Sequence, residues 1–231
     1  MIKYLKRELL YITKKIINYY MLKINEIFHS IQGESSKCGA PCIFIRLTYC
    51  NLRCSYCDSE YSFYEGKDMS ISEILMEVEK YNCNLVEVTG GEPLLQKESI
   101  DLMKTLLEKN YTVMLETGGS LPINSVPKEV IKIIDFKCPS SDMHKKNNWD
   151  ILNFIQEHDE IKFVIGDYDD YIWVKDKLKK YNFKDNTILF SPTHDQLEPK
   201  MLSEWVLKDN LNVRVQIQLH KYIWDANTKG V

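Results

Sequence analysis

Three cysteines, Cys50, Cys54 and Cys57, stand at a C-x3-C-x2-C spacing in the stretch Cys50-Asn-Leu-Arg-Cys54-Ser-Tyr-Cys57-Asp58, directly after the apolar run Cys42–Thr48. Thiolates at this spacing on one loop can converge on a metal. A disulfide framework fits poorly, because such frameworks use even sets of cysteines in small secreted chains. A closed structural zinc site takes four ligands, commonly as two separated C-x2-C pairs, and Cys38 and Cys42 lie near enough in sequence to contribute. A cubane iron–sulfur cluster held by three thiolates instead leaves one iron without a protein ligand, open to a bound cofactor. Spacing by itself leaves both metals open.

Other polar residues interrupt apolar or glycine-rich surroundings. Gly90-Gly91-Glu92-Pro93 follows a predicted strand; glycines there let a ligand approach the backbone, and Glu92 can accept a charge-assisted bond from an ammonium. The same four residues also make an ordinary strand-to-helix turn. Ser30-Ile-Gln-Gly-Glu34 sets Gln32 and Glu34, a mix of donors and acceptors, around Gly33, which on chemistry alone is a polar turn. Arg46 lies between Ile45 and Leu47, where a guanidinium is costly to bury without an anion. A structural salt bridge or a bidentate clamp on a ligand carboxylate would each supply one. Lys137 and His220 read equally as solvated or packed residues at strand ends and as members of a site.

Taken together, these residues resemble the radical S-adenosylmethionine superfamily, whose cluster loop has this three-cysteine spacing and an aromatic, here Tyr56, before its last cysteine. The resemblance extends to the 7-carboxy-7-deazaguanine synthase family through Ile31-Gln-Gly-Glu34, Arg46, Cys57-Asp58-Ser59, Thr89-Gly-Gly-Glu-Pro93, Glu116-Thr-Gly-Gly119, Lys137-Cys-Pro-Ser-Ser141 and His220-Lys-Tyr222, in order along the chain. It implies a [4Fe-4S] cluster on Cys50, Cys54 and Cys57. It implies S-adenosyl-L-methionine held by Tyr56, Cys57, Asp58, Gly91, Glu92 and Lys137, with Asp135, Ser140 and Ser191 beside them. Ile31, Gln32, Gly33, Glu34, Arg46, Thr89 and His220 would contact the substrate. The family also uses Mg2+, a hard cation that prefers oxygen ligands. Its metal position just after Cys-Asp is typically threonine; Ser59 stands there and keeps the hydroxyl.

The reaction so implied converts 6-carboxy-5,6,7,8-tetrahydropterin to 7-carboxy-7-deazaguanine with loss of ammonia, a step toward queuosine or another 7-deazapurine. A 5′-deoxyadenosyl radical would start it, the cofactor being regenerated, and no side chain is singled out as a catalytic acid or base. The implied partners are the small-molecule pterin, an electron donor such as flavodoxin or ferredoxin, and a second copy in a homodimer. Two other readings compete. An activating enzyme would act on a partner protein through an open face and would not need the Ile31–Glu34 and Arg46 pocket. A zinc-stabilised binding module would be no enzyme at all.

The elements that must position these residues alternate. Strands are predicted at Leu22–Phe28, Cys42–Thr48, Asn84–Thr89, Tyr111–Glu116, Ile131–Phe136, Glu160–Ile165, Thr187–Phe190 and Asn212–Gln218. Helices are predicted at Ser70–Tyr81, opened by Ser70 or Ser72, and at Gln96–Asn110, Asn147–His158, Asp169–Tyr181 and Pro199–Asp209. Such alternation predicts an α/β fold with a parallel sheet and right-handed crossovers. The Gly- and Pro-marked loop between Thr117 and Ile131 favours an incomplete TIM-type barrel, the radical SAM core, over a closed one. In such folds chemistry gathers at the carboxyl ends of the strands, where Thr48–Cys57, Thr89–Pro93, Glu116–Gly119, Lys137–Ser141 and Ser191–Asp195 all fall.

With 231 residues, 44% of them hydrophobic and 27% charged, the chain is predicted to form one soluble domain over residues 21–231. Its basic, Ile-, Leu- and Tyr-rich residues 1–20 read as an amphipathic helix, either a peripheral extension or a surface for a membrane or partner. A net charge of −3 argues against a general nucleic-acid binder. No apolar run approaches bilayer-spanning length. Seven cysteines without a secretory signal pattern predict a reducing cytoplasm. Cys38, Cys42, Cys83 and Cys138 read as small buried hydrophobes.

Overall fold

The structure is a computed structural model, and it describes residues 21–183, 185–226 and 228–231. The amphipathic reading of residues 1–20 therefore lies outside the described residues. Among those residues, nine strands form one sheet in the order β3-β1-β2-β4-β5-β6-β7-β8-β9. A hairpin opens it: β1 (Met21–Ile31) pairs antiparallel with β2 (Pro41–Leu47) on one side and with β3 (Lys67–Ser70) on the other. From β2 onward every pairing is parallel, through β4 (Leu85–Gly90), β5 (Thr112–Thr117), β6 (Ile131–Asp135), β7 (Glu160–Ile165), β8 (Thr187–Pro192) and β9 (Arg214–Val215). The described strands run edge to edge from β3 to β9 with no pairing between the two ends, which is the incomplete barrel that the alternation predicts.

Helices α1 (Ile71–Val78), α2 (Ser99–Glu108), α3 (Tyr168–Lys180) and α4 (Pro199–Lys208) pack on one face of the sheet. Helix α1 begins at Ser70, whose hydroxyl accepts from the Glu73 amide while the Glu73 carboxylate accepts from the Ser70 amide; this capping box satisfies two orphan donors at once. Pro199 starts α4 at a position where its missing N–H costs nothing. The core lies between these helices and one side of the strands. Ile43, Ile45, Val86, Val88, Val113 and Leu115 are fully buried there against Ile74, Val78, Leu102, Met103 and Leu106.

Because strand side chains alternate, the residues between those apolar ones face the other way. Phe44 and Arg46 on β2, Glu87 and Thr89 on β4, Glu116 on β5, Asp135 on β6, and Lys162 and Val164 on β7 line a common cavity. The alternation is thus apolar toward the helices and polar toward the cavity.

Three stretches differ from expectation. Residues 147–158 form no α-helix; a short 3-10 turn at Trp149–Asn153 stands there instead. Their apolar spacing suits a helix, but side chains there bind backbone. Asn147 accepts from the Lys137 amide and donates to the Lys137 carbonyl, Asn148 accepts from the Asp150 amide, and Asp159 accepts from the Gln156 amide. Such local bonds compete with the helical ladder. The last strand spans only Arg214–Val215, paired to β8 at the sheet edge; after one more bond from the Gln216 amide to the Phe190 carbonyl the chain turns to bring Gln218 and His220 to the cavity. Strand β3 is an addition, formed by the segment before α1 closing over the free side of β1.

Candidate active site

A cavity of about 780 Å³ opens at the carboxyl ends of the parallel strands. Cys50, Cys54 and Cys57, from the loop after β2, all line it, and none is in a disulfide. Burial raises the Cys50 thiol above its ordinary range and pushes Cys54 up to about 11, so deprotonation here calls for a metal or a cation. Lys137, which also lines the cavity, acts on both thiols in that sense. Among the described residues, no three His, Cys, Asp or Glu side chains could jointly hold a single metal ion. All three thiols line the same cavity, the donor set that a cluster ligated by three thiolates would use.

The loop that carries the triad rests on the β4 turn. The Glu92 amide donates to the Tyr49 carbonyl at 2.8 Å and the Gly91 amide to the Leu47 carbonyl at 3.3 Å. A Cβ on Gly91 would stand 2.3 Å from the Tyr49 oxygen and 2.7 Å from the Cys50 Cβ. Gly91 therefore lacks a side chain first of all because the cluster loop occupies that space. Glu92 is fully buried, and its carboxylate accepts from the Leu94 amide, the Gly118 amide and the Thr117 hydroxyl. It ties the ends of β4 and β5 together, and it is not among the cavity-lining residues. Its reading as an acceptor for a ligand ammonium thus meets a carboxylate already engaged by protein donors.

Of the other expected cofactor contacts, Tyr56, Cys57, Asp58, Gly91, Asp135 and Lys137 share the cavity wall, whereas Ser140 and Ser191 do not. Ser140 donates its hydroxyl to Asp170, which also accepts from the Ser140 and Gly166 amides. The buried Ser191 hydroxyl has no partner among the described residues. Tyr56 donates to the Val164 carbonyl at 3.4 Å, and burial holds its phenol well above the ordinary range. Lys137 pairs with Asp135 at 2.8 Å. Burial disfavours its charge, but Asp135 more than compensates and keeps the ammonium protonated. The second Asp135 oxygen is buried with no partner among the described residues, an acceptor left for a ligand. Asp58 pairs with Lys221 at 2.8 Å, which overcomes partial burial and pulls its carboxyl down to about 2. The Ser59 hydroxyl lies 3.8 Å from the Cys57 sulfur and on the cavity wall.

All seven expected substrate contacts except Thr89 come from the β1 end, β2 and the C-terminal segment, and all seven line the same cavity. Gly33 packs against His220 so tightly that a Cβ would fall 2.1 Å from its Nδ1. Burial lowers the His220 imidazole below its ordinary value, which favours its neutral form. Arg46 has an anion in the protein, its Nε donating to Glu26 at 2.7 Å, and the residue also lines the cavity beside Phe28 and Tyr61.

Residues without an expected role also belong to the site. Lys162, only 5% exposed, ion-pairs with Glu34 and Glu116, and Asp135 follows at 3.6 Å. Gln32 donates to the buried Glu87 carboxylate. A charged residue inside an apolar strand, the signal that drew attention to Arg46, was available for Glu87 and Lys162 as well. The C-terminal Ala226, Thr228, Lys229, Gly230 and Val231 also line the cavity, with Lys229 over the Tyr61 ring at 4.3 Å.

Burial pushes the Glu87 carboxyl up to about 7 against the Gln32 hydrogen bond. Its folded value exceeds its ordinary value of 4.5, so the folded chain binds the extra proton and stability falls as pH rises from 4.5 through about 7. Glu87→Gln should remove that component. Between about pH 5.5 and about pH 7.5 the thermal midpoint of the wild type is expected to drop further than that of the variant, by scanning fluorimetry. Parallel curves would contradict the assignment.

Comparison with known proteins agrees with this geometry. The family profile described as the Radical SAM superfamily matches residues 44–202. The 7-carboxy-7-deazaguanine synthase of Koribacter versatilis (strain Ellin345) is 44% identical over 226 residues, covering 91% of this chain and 100% of that protein. The synthase of Chlorobaculum tepidum is also 44% identical, over 91% of this chain and 97% of its own length. The crystal structure of QueE from Escherichia coli superposes with a TM-score of 0.71 over 87% of this chain and 95% of that one, at 22% identity, a likeness of fold.

Proposed function

We infer the chemistry of the cavity from one premise: the chain belongs to the radical S-adenosylmethionine superfamily and, within it, to the 7-carboxy-7-deazaguanine synthases, the radical lyases of 7-deazapurine biosynthesis. Its substrate is read as 6-carboxy-5,6,7,8-tetrahydropterin and its product as 7-carboxy-7-deazaguanine, with ammonia leaving. The observation that carries this is the common wall: the cysteine triad and Gln32, Gly33, Glu34, Arg46, Thr89 and His220 line one cavity. The activating-enzyme and zinc-module alternatives are not favoured, since relatives matched along nearly their whole length bear the synthase name.

Cys50, Cys54 and Cys57 would hold the [4Fe-4S] cluster, and the cavity wall beside them would hold S-adenosyl-L-methionine. When bound, the pair supplies the radical chemistry that removes hydrogen from C6 of the substrate. The chain positions and shields. Asp135 offers its unpaired buried oxygen to the cofactor side, and Lys137 keeps positive charge beside the thiolates. Tyr56 is fixed through its bond to Val164. On the substrate side, Gln32 and Glu34 present an acceptor-rich edge to the ring's N–H groups. Arg46 faces the substrate carboxylate, braced at Nε by Glu26. Ser59 supplies the hydroxyl for Mg2+ next to the cluster loop, and His220 closes the wall. The C-terminal residues narrow the opening, which limits water around a reactive site.

Residues 21–231 are taken as one catalytic domain, working as a homodimer in the cytoplasm and reduced by a flavodoxin or ferredoxin; these points rest on the family. Among the described residues no helix is long and apolar enough to cross a membrane.

Anaerobic incubation of the reconstituted protein with the carboxy-tetrahydropterin, S-adenosyl-L-methionine and reductant is expected to give 7-carboxy-7-deazaguanine, followed by mass spectrometry. Cofactor cleavage without that product would overturn the substrate. Arg46→Lys keeps the charge but loses the planar fork that matches a carboxylate. Its KM for the pterin is expected to rise by about tenfold or more, in line with the 1.5–3 kcal/mol of a hydrogen bond to a charged group, while KM for the cofactor stays put. An unchanged pterin KM would remove Arg46 from the substrate carboxylate.

A further inference from the structure

Lys162 is the buried cation at which the two halves of the cavity meet. Its ammonium pairs with Glu34 from the end of β1, with Glu116 on β5 and, at 3.6 Å, with Asp135 on β6. The ammonium donates to Glu34 and Glu116, and Asp135 adds charge beyond hydrogen-bond reach. Glu34 belongs to the substrate wall and Asp135 to the cofactor wall, and Asp135 has a second cation in Lys137 at 2.8 Å. The two substrate-side carboxylates depend on Lys162 far more. Among the described residues, the other side-chain bond to Glu34 comes from neutral Gln218 at 2.8 Å, and Glu116 shares the β4–β5 face with the buried Glu87.

We propose that Lys162 is a positioning residue for substrate recognition: its ammonium draws Glu34 and Glu116 into one acceptor pair that reads the N–H edge of the pterin ring. Two carboxylates this close repel unless a cation lies between them. Without Lys162 they separate, and the lost juxtaposition removes an acceptor from the ring. The cofactor side is buffered by Lys137, so the loss is confined to the substrate. This deepens the pterin reading and rests on it.

The test uses reconstituted holoenzyme carrying Lys162→Met or Lys162→Arg. For Lys162→Met the KM for the pterin is expected to rise by about 30-fold or more, as breaking a buried charge pair costs 2–5 kcal/mol or more. Iron content and KM for S-adenosyl-L-methionine should stay within about twofold of the wild type, less than 1 kcal/mol. Cofactor cleavage should become uncoupled from product. Lys162→Arg, which keeps the charge but not the compact ammonium shared by the two carboxylates, should fall between the two. A purely structural role would instead lower both affinities and iron content together, and that pattern overturns the proposal. So does a wild-type pterin KM in either variant. If Lys162→Met is insoluble, Lys162→Arg decides alone on the same two readouts. Failure of the wild type to convert the pterin would sink the substrate reading itself, and is distinguishable because it needs no variant.

Discussion

Replacing Cys50, Cys54 or Cys57 singly with serine is expected to abolish product formation and to strip the chain of its iron. The same replacement at Cys38 or Cys83 should leave the iron in place. The first three thiols line the cavity, while Cys38 is exposed and Cys83 donates to the Pro41 and Leu85 carbonyls away from it. A serine hydroxyl has the size of a thiol but is a poor ligand for iron in a cluster. The effect has no graded form, because each missing corner removes a third of the protein ligation. Iron and acid-labile sulfide, measured on anaerobically reconstituted protein, report the result directly. A Cys83→Ser protein without iron, or a Cys54→Ser protein with a full cluster, would reassign the ligands.

The second large effect is expected from one methyl group. Gly91→Ala places a Cβ 2.3 Å from the Tyr49 carbonyl oxygen and 2.7 Å from the Cys50 Cβ. Both belong to the segment carrying Cys50, and the Glu92 amide is bonded to that same carbonyl. The neighbour is backbone, so relief requires the cluster loop to move away from β4. Displacement of catalytic parts by about 1 Å can cost about 100-fold in rate, and a loss of that order is expected here. It should come with lowered cluster content rather than weakened pterin binding. A Gly91→Ala protein with full iron and full activity would show that the loop yields freely, contrary to the packing described.

The comparison between these two positions also shows how far the sequence carries the account. The cysteine triad was legible because three thiols of one cavity wall sit within eight residues. The reason for Gly91 was only half legible: close approach was expected, but toward a cofactor, and the first thing it approaches is the Tyr49–Cys50 backbone. Glu92 shows the same limit. Its position after the glycine pair suggested a ligand contact, yet its three donors come from residues 94, 117 and 118, and pairing across strands is invisible in a local motif. Lys162 is the extreme case, since its partners lie 128 and 46 residues away.

Strand positions were read well because buried parallel strands are short apolar runs between turns. The failures lie where side chains compete for backbone. Asn147 and Asn148 undo the helix that Trp149, Ile151, Leu152 and Ile155 would otherwise support. At the C-terminus, Val213–Leu219 has the composition of a strand, but beyond Gln216, whose amide still bonds to Phe190, the chain departs from β8 to bring Gln218 and His220 to the cavity.

Everything in the proposed chemistry depends on the iron that three thiolates leave free. Mössbauer spectroscopy of the 57Fe-reconstituted protein, with and without S-adenosyl-L-methionine, addresses it most directly. One iron of the four is expected to change its isomer shift when the cofactor is added, and the other three to stay as they are. Four equivalent irons that ignore the cofactor would mean that a side chain already fills the fourth position, and would contradict the account at its base.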